Sequence, residues 1–138
     1  MKIEIYNKPC HKAMEIRKKV FIEEQGFSYD RDKTDDIAYH IVLFEEENVI
    51  GTCRVFKGEE NDVFILGRLA VEKNSRGKGY GGMIVKRAVE YVKEIKGKAL
   101  ILHSQLAAKD FYKKQGFREF SEVDFEENCP HIWMKYEI

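Results

Sequence analysis

Apolar and polar residues alternate in Lys2-Ile3-Glu4-Ile5, the period-two pattern of a half-buried strand, and Ala13, Ile16 and Val20 then recur at helical spacing. The chain therefore opens with a strand and a helix. Residues 23–38 turn polar and acidic, with Gln25-Gly26 as a breaker and four aspartates, Asp30, Asp32, Asp35 and Asp36, close together. Such a stretch predicts a long irregular connection of the kind that often carries function. Residues 40–44, 49–56 and 63–71 are apolar, β-branched runs separated by short polar turns, which predicts an antiparallel meander.

After Val71 comes a glycine-rich loop, residues 72–82, and then Ile84, Ala88, Tyr91 and Ile95 repeat at helical spacing up to Lys96-Gly97. Residues 99–103 read as a strand and 107–115 as a short helix carrying Phe111 and Tyr112, with Gly116 where a left-handed cap would stand. Two more strand-like runs, 117–125 and 132–136, finish the chain. The fold class expected is α/β in the α+β sense: an antiparallel meander followed by strand-helix-strand-helix around a central mixed sheet.

Length and composition narrow the partners. The 138 residues suit one domain, 1–138, and 24 basic against 24 acidic side chains leave no net charge to hold a phosphate backbone or anionic lipid. Nucleic acid and membrane are not expected as partners. The amino terminus lacks a continuous apolar stretch, so a cytoplasmic location is expected. Cys10, Cys53 and Cys129 are odd in number and form no C-x-x-C pair, so they are read as reduced thiols.

Arg76-Gly77-Lys78-Gly79-Tyr80-Gly81-Gly82 leads into a helix. Free N–H groups and the positive end of a helix dipole converge on an anion in such a segment, and glycines let a phosphate come close. Arg76 and Lys78 add charge that suits a diphosphate. A tight glycine turn with no ligand is the plainer reading. The string also matches G-x-G-x-x-G, but five residues separate the strand from the first glycine, and the next strand lacks an acid for a ribose, both against a dinucleotide fold. No G-x-x-x-x-G-K-[ST] occurs.

Arg76-x-x-Gly79-x-Gly81 after Leu69-Ala70-Val71, followed by Phe111-Tyr112-x-x-x-Gly116-Phe117, resembles the GNAT superfamily of acetyl-coenzyme-A-dependent N-acetyltransferases. The resemblance extends to its ElaA-like branch through Arg17-x-x-Val20-Phe21-x-x-Glu24-Gln25, Asp32-x-x-Asp35-x-x-Ala38-x-His40 and Pro130-His131. It implies acetyl-CoA as co-substrate, with its pyrophosphate on residues 76–82 and its pantetheine arm along Leu69, Ala70 and Val71. Gly67 in that strand fits a bulge or a close approach. Gln105 stands where many members place an asparagine toward the coenzyme, and Phe111 packs or contacts the coenzyme. Tyr112 is implied as the acid that protonates the leaving thiolate.

Acetyl transfer to an amine needs a proton acceptor for the amine, a donor to the oxyanion and a proton for the thiolate. Glu24, at the junction of helix and loop, is the base selected, with Asp35, His40, His103 and His131 as alternatives; Phe21, Asp35, His40 and His131 are expected around the acceptor. A backbone N–H near Ala70 or Val71 would hold the oxyanion. The histidines show no H-x-x-x-H or H-E-x-x-H spacing, and no metal is expected. Cys53 on a central strand is read as core, which favours direct attack by the amine. The acidic stretches 30–36 and 122–127 would attract a cationic acceptor such as a polyamine or lysine. The function expected is N-acetylation of a primary amine, on a small molecule or as an exposed amino group; the alternatives are a non-catalytic acyl-CoA-binding sensor and a nucleotide-binding regulator. Strand edges near the carboxy terminus would let two copies pair as a homodimer.

Overall fold

The computed structural model describes residues 1–138, and the chain opens with β1 (Lys2–Tyr6) and α1 (His11–Arg17). The helix continues past Arg17 as a wider π-helical stretch, Lys18–Glu24, and the chain turns at Gly26, which has φ of 79°. Widened turns of this type concentrate at functional sites, and this one carries Phe21 to the cleft described below. The acidic connection contains a 3₁₀ turn, Lys33–Asp36. Asp32 caps it by accepting from the Thr34 N–H at 3.1 Å while Asp35 accepts from the Asp32 N–H.

The meander follows as β2 (Tyr39–Glu45), β3 (Asn48–Lys57) and β4 (Val63–Val71), each antiparallel to its neighbour. Then come α2 (Tyr80–Glu94), β5 (Ala99–Gln105), α3 (Lys109–Lys114), β6 (Arg118–Glu119), β7 (Asp124–Glu126) and β8 (Cys129–Glu137). Along the mixed sheet the order is β1-β2-β3-β4-β5-β8-β6, with β7 also on β8, and only β4 and β5 run parallel. Residues 117–125 are not one strand. Phe120 and Val123 are exposed, and the segment pairs with β8 as strand only at its two ends, β6 and β7, with the Phe120 N–H donating to the Trp133 carbonyl between them.

Strand alternation divides the interior into two layers. Ile41, Leu43, Cys53, Val55, Leu66, Leu100, Leu102 and Met134 join Ile84, Val85, Ala88 and Val92 of α2 in the main core. On the opposite face Ala70 packs under Ile16 of α1 and Val20 of the π-helical stretch that follows it. Leaving that larger core in water would forfeit roughly 1.5–3 kcal/mol for each large side chain.

Two features open the sheet at its centre. Between the pairs Thr52↔Ala70 and Arg54↔Gly67, one residue of β3 faces two of β4, a bulge with Arg68 at φ of 53°. The parallel ladder of β4 with β5 ends at Leu66↔Leu102, so beyond it the strands part. The edge of β4 from Gly67 to Val71 that faces β5 is left without a strand partner.

Candidate active site

A cavity of about 430 Å³ occupies this parting. His103 is the first residue of β5 past the last β4 pair and is opposed by Trp133 on β8, while Gln105 is opposed by His131. These four side chains therefore share the α1-facing side of the sheet with Arg54, which is opposed to Gly67. Phe21, Phe27 and Tyr29 line the cavity from the chain after α1. Gln105 donates to Gln25 at 2.7 Å, and Ser28 is held to Glu127 by its hydroxyl at 2.5 Å, so two straps cross the mouth.

Tyr112 reaches the cavity from the other face, by way of α3. Burial pushes its phenol above the ordinary range, with the neighbouring Cys53 adding to the rise. The hydroxyl makes no hydrogen bond to the protein, yet it is not an enclosed orphan, so it meets the open space of the cleft. Phe111 packs edge-on against the Tyr112 ring at 5.0 Å between centroids. Burial also raises the Cys53 thiol far from thiolate formation, which removes it as a nucleophile.

At the other end of the cleft α2 begins at Gly79 with no side-chain cap. The first-turn amides of Tyr80, Gly81 and Gly82 have no intrahelical acceptors and carry the positive end of the helix dipole. Gly77 and Gly79 adopt φ of 78° and 83°, which makes glycine the fitting residue there. A Cβ on Gly81 would lie 3.3 Å from Phe111, and one on Gly82 3.2 Å from Gln115, so these two seat the helix tightly. Lys78 makes no ion pair in the protein. Of the β4 residues, Leu69 lines the cleft and Ala70 is buried under α1.

Arg76 is paired within the protein, at an exposed position. Its Nε donates to the Val71 carbonyl at 3.0 Å and its two terminal nitrogens grip Glu24 at 2.6 and 2.8 Å. The same fork corrects the choice of Glu24 as base. The hydrogen bond from Arg76, against opposing burial, holds its carboxyl below the ordinary range, and the pair lines a separate cavity of about 380 Å³ outside the cleft.

Asp35 and His40 are corrected as well. Asp35 is fully buried, 0% exposed, and accepts from Arg17 at 2.8 and 3.1 Å and from Arg54 at 3.0 Å. Burial works to raise its carboxyl, and these bonds with the Asp32 N–H outweigh it and hold it well below the carboxylate range. His40 is buried with Nε2 2.9 Å from the Asp35 carbonyl, and burial pushes its imidazole below the ordinary value. Neither lines the cleft. Arg17, Arg54 and Arg68 neutralise Asp30, Asp32 and Asp35, so the acidic connection is an internal brace and not an attractor of cations. One donor in this brace is left over: Arg54 Nε is enclosed and has no partner, a state that costs about 1–3 kcal/mol.

His103 and His131 do face the cleft. His103 Nε2 donates to Asp124 Oδ1 at 2.6 Å. His131 Nδ1 donates to the Cys129 carbonyl at 2.9 Å, which leaves Nε2 toward Glu126 at 3.5 Å. The two rings stack at 4.5 Å with 29° between planes, and Trp133 stacks on His103 from the other side at 4.7 Å. Ligand-capable atoms of His103, Glu126 and His131 lie within 4.8 Å of one another. Rings stacked face to face do not aim their lone pairs at one point about 2.0–2.1 Å away, as a tetrahedral ion requires. The sequence reading missed Arg54, Asp124, Glu126 and Trp133. The register of β5, β7 and β8 brings the last three together and the β3–β4 register brings Arg54, and both depend on pairing across the whole sheet.

The GNAT acetyltransferase domain family matches residues 11–138. YjcF of Bacillus subtilis, an uncharacterised N-acetyltransferase, is 31% identical over 125 residues, covering 88% of each chain. The crystal structure of Escherichia coli ElaA superimposes with a TM-score of 0.86 at 25% identity, over 99% of this chain and 100% of that one. A Bacillus subtilis acetyltransferase solved in complex with CoA has the same fold, with a TM-score of 0.74 at 16% identity, over 99% and 98% of the two chains. No helix is long and apolar enough to cross a membrane.

Proposed function

The chain belongs to the GNAT acetyltransferase family, and from that premise we propose that it moves the acetyl group of acetyl-CoA to a primary amine by direct attack. The parting of β4 from β5, between an uncapped glycine-rich helix start and a cleft holding Tyr112 and His103, is the observation that carries this reading. The residues suit the coenzyme. Diphosphate would lie on the amides of Tyr80, Gly81 and Gly82, with Lys78 as the free cation beside Gly77 and Gly79. The pantetheine arm would follow the unpartnered edge of Leu69, Ala70 and Val71, near Gln105 and Phe111. When bound, acetyl-CoA supplies the activated acyl group.

In this reading His103 takes the proton of the amine. Its Nε2–H is spent on Asp124, which fixes the tautomer that leaves Nδ1 basic, the role a carboxylate plays behind a catalytic imidazole. Tyr112, kept protonated by its burial, returns a proton to the departing sulfur. His131 holds the acceptor side of the cleft with Phe21. Membership in a family of acetyltransferases favours turnover over a sensor that keeps only the coenzyme cradle. We assign the activity to the cytoplasm, on a small amine or an exposed amino group, with pairing of two copies as a homodimer left to sedimentation.

The reading is tested by following thiol release from acetyl-CoA with a panel of primary amines. Release that depends on both enzyme and amine, with the acetyl group recovered on the amine nitrogen, supports it. Acetyl groups recovered on the protein, or no amine-dependent release across the panel, would contradict it.

A further inference from the structure

Arg54 and Gly67 are opposed across β3 and β4 at the edge of the parting, and each has something unused. The Arg54 side chain is 6% exposed. Its terminal nitrogens are committed to Asp32 and Asp35, and its Nε is the one enclosed side-chain polar atom in the molecule without a partner. Gly67 has no positive φ, and a Cβ built on it would find only Arg54 Nε within 4 Å, at 3.8 Å. Neither backbone conformation nor packing requires glycine there. Arg54 Nε is enclosed as it stands, and a small swing of the guanidinium toward the open space over Gly67 would bring this unspent donor within reach of a ligand oxygen.

We propose that the acceptor is an amino-acid-like small molecule, an amine with a carboxylate or carbonyl oxygen a few bonds away, its oxygen received by Arg54 over Gly67. The proposal rests on the acyl-transfer reading. Gly67 and His103 each stand one position past the last β4–β5 pair, Leu66↔Leu102, and both line the cavity, so an oxygen over Gly67 and an amine beside His103 share one cleft. Arg68, 21% exposed at the same edge, uses Nε and Nη2 on Asp30 and Asp32 and keeps Nη1 for a ligand. Three arginines balance three aspartates here, so the subsite offers hydrogen bonds more than net charge and takes a carbonyl as well as a carboxylate. Phe27, Tyr29, Phe56 and Trp133 line the rest of the cleft and suit an apolar side chain. A polyamine has no group for the Arg54 donor.

The test compares initial rates with phenylalanine, phenylalaninamide and phenethylamine, and with leucine, leucinamide and isopentylamine. Each is expressed per neutral amine, and acetyl-CoA affinity is measured by calorimetry on the same preparation. The oxygen-bearing members should have kcat/KM about 10- to 100-fold above the plain amines, the worth of one hydrogen bond to a charged donor. The amide arm separates carbonyl from carboxylate. Gly67→Ala should keep its melting temperature and acetyl-CoA affinity and raise KM for the preferred acceptor at least about tenfold. Plain amines acetylated as well as their partners, or an unchanged KM in Gly67→Ala, overturns the subsite and leaves acyl transfer standing; no turnover of any member overturns the subsite, and bound acetyl-CoA then leaves only the coenzyme cradle standing. Loss of acetyl-CoA binding by the wild-type chain overturns the reading beneath it.

Discussion

His103 stands one position past the last pair that joins β4 to β5, and its Nε2 lies 2.6 Å from Asp124 Oδ1. That pairing places an oriented imidazole at the only point where the sheet opens. His103→Gln should lower kcat by about 10²- to 10⁴-fold, the usual worth of general acid–base catalysis. It should leave acetyl-CoA affinity unchanged. Asp124→Asn should cost less, because Asp124 is half exposed and acts through the ring. Unchanged kcat in His103→Gln would remove it as the base.

Tyr112→Phe keeps the ring that packs against Phe111 and Phe117 and deletes only the hydroxyl. Melting temperature should hold, and turnover should drop by about 10²-fold or more, most sharply for acyl thioesters with poor leaving groups. Unchanged turnover over the whole pH range would leave Tyr112 as packing alone.

Glu24→Gln should retain most of the activity, since the fork of Arg76 already holds that carboxylate out of the cleft. Lys78→Ala should instead weaken acetyl-CoA binding, more at low salt than at high salt, as expected for an exposed cation facing phosphate. Calorimetry on both variants checks the pair. Loss of turnover in Glu24→Gln with intact coenzyme binding would restore Glu24 as base.

Acid should unfold the protein in two stages. Burial first, with the opposing bond to the Asp35 carbonyl, leaves His40 below its ordinary value, so only the unfolded chain takes up that proton as pH falls through about 6.5. Stability from this group is complete above that pH and declines below it. Asp32 and Asp35, held low by arginines in spite of burial, add a further loss below about pH 4. Urea midpoints should fall from about pH 7 to about pH 5, and His40→Gln should flatten that portion. A flat wild-type midpoint contradicts the burial of an uncharged His40.

Arg17→Met should cost about 3–5 kcal/mol, because it leaves Asp30 and Asp35 without their buried partner. Denaturant unfolding measures it directly, and a cost near that of a surface pair would show the brace to be solvated.

The meander, the glycine loop and both main helices were legible because each rests on local periodicity or on glycine chemistry. The 117–125 strand misread has the opposite cause: its apolar residues Phe120 and Val123 look outward, and only pairing with β8 decides which ends are strand. Motif position points to Tyr112 and Gln105, and both line the cleft. Asp35 and His40 were misjudged because the same polar residue types serve a buried ionic brace or a substrate site, and sequence spacing does not say which arginines will meet them. Arg54 and Asp124 were invisible for a related reason: Arg54 meets Gly67 and Asp32 only through the β3–β4 register and the folded acidic connection, and Asp124 meets His103 only through the pairing of β7 and β5 on β8.

The most direct measurement is a calorimetric titration of the chain with acetyl-CoA, with NAD and ATP titrated against the same preparation. Saturable one-to-one binding of acetyl-CoA, weakened in Lys78→Ala and indifferent to Glu24→Gln, is the predicted result. No binding, or preference for NAD or ATP, would contradict the account at its root, because the uncapped start of α2 and the free edge of β4 would then serve some other ligand.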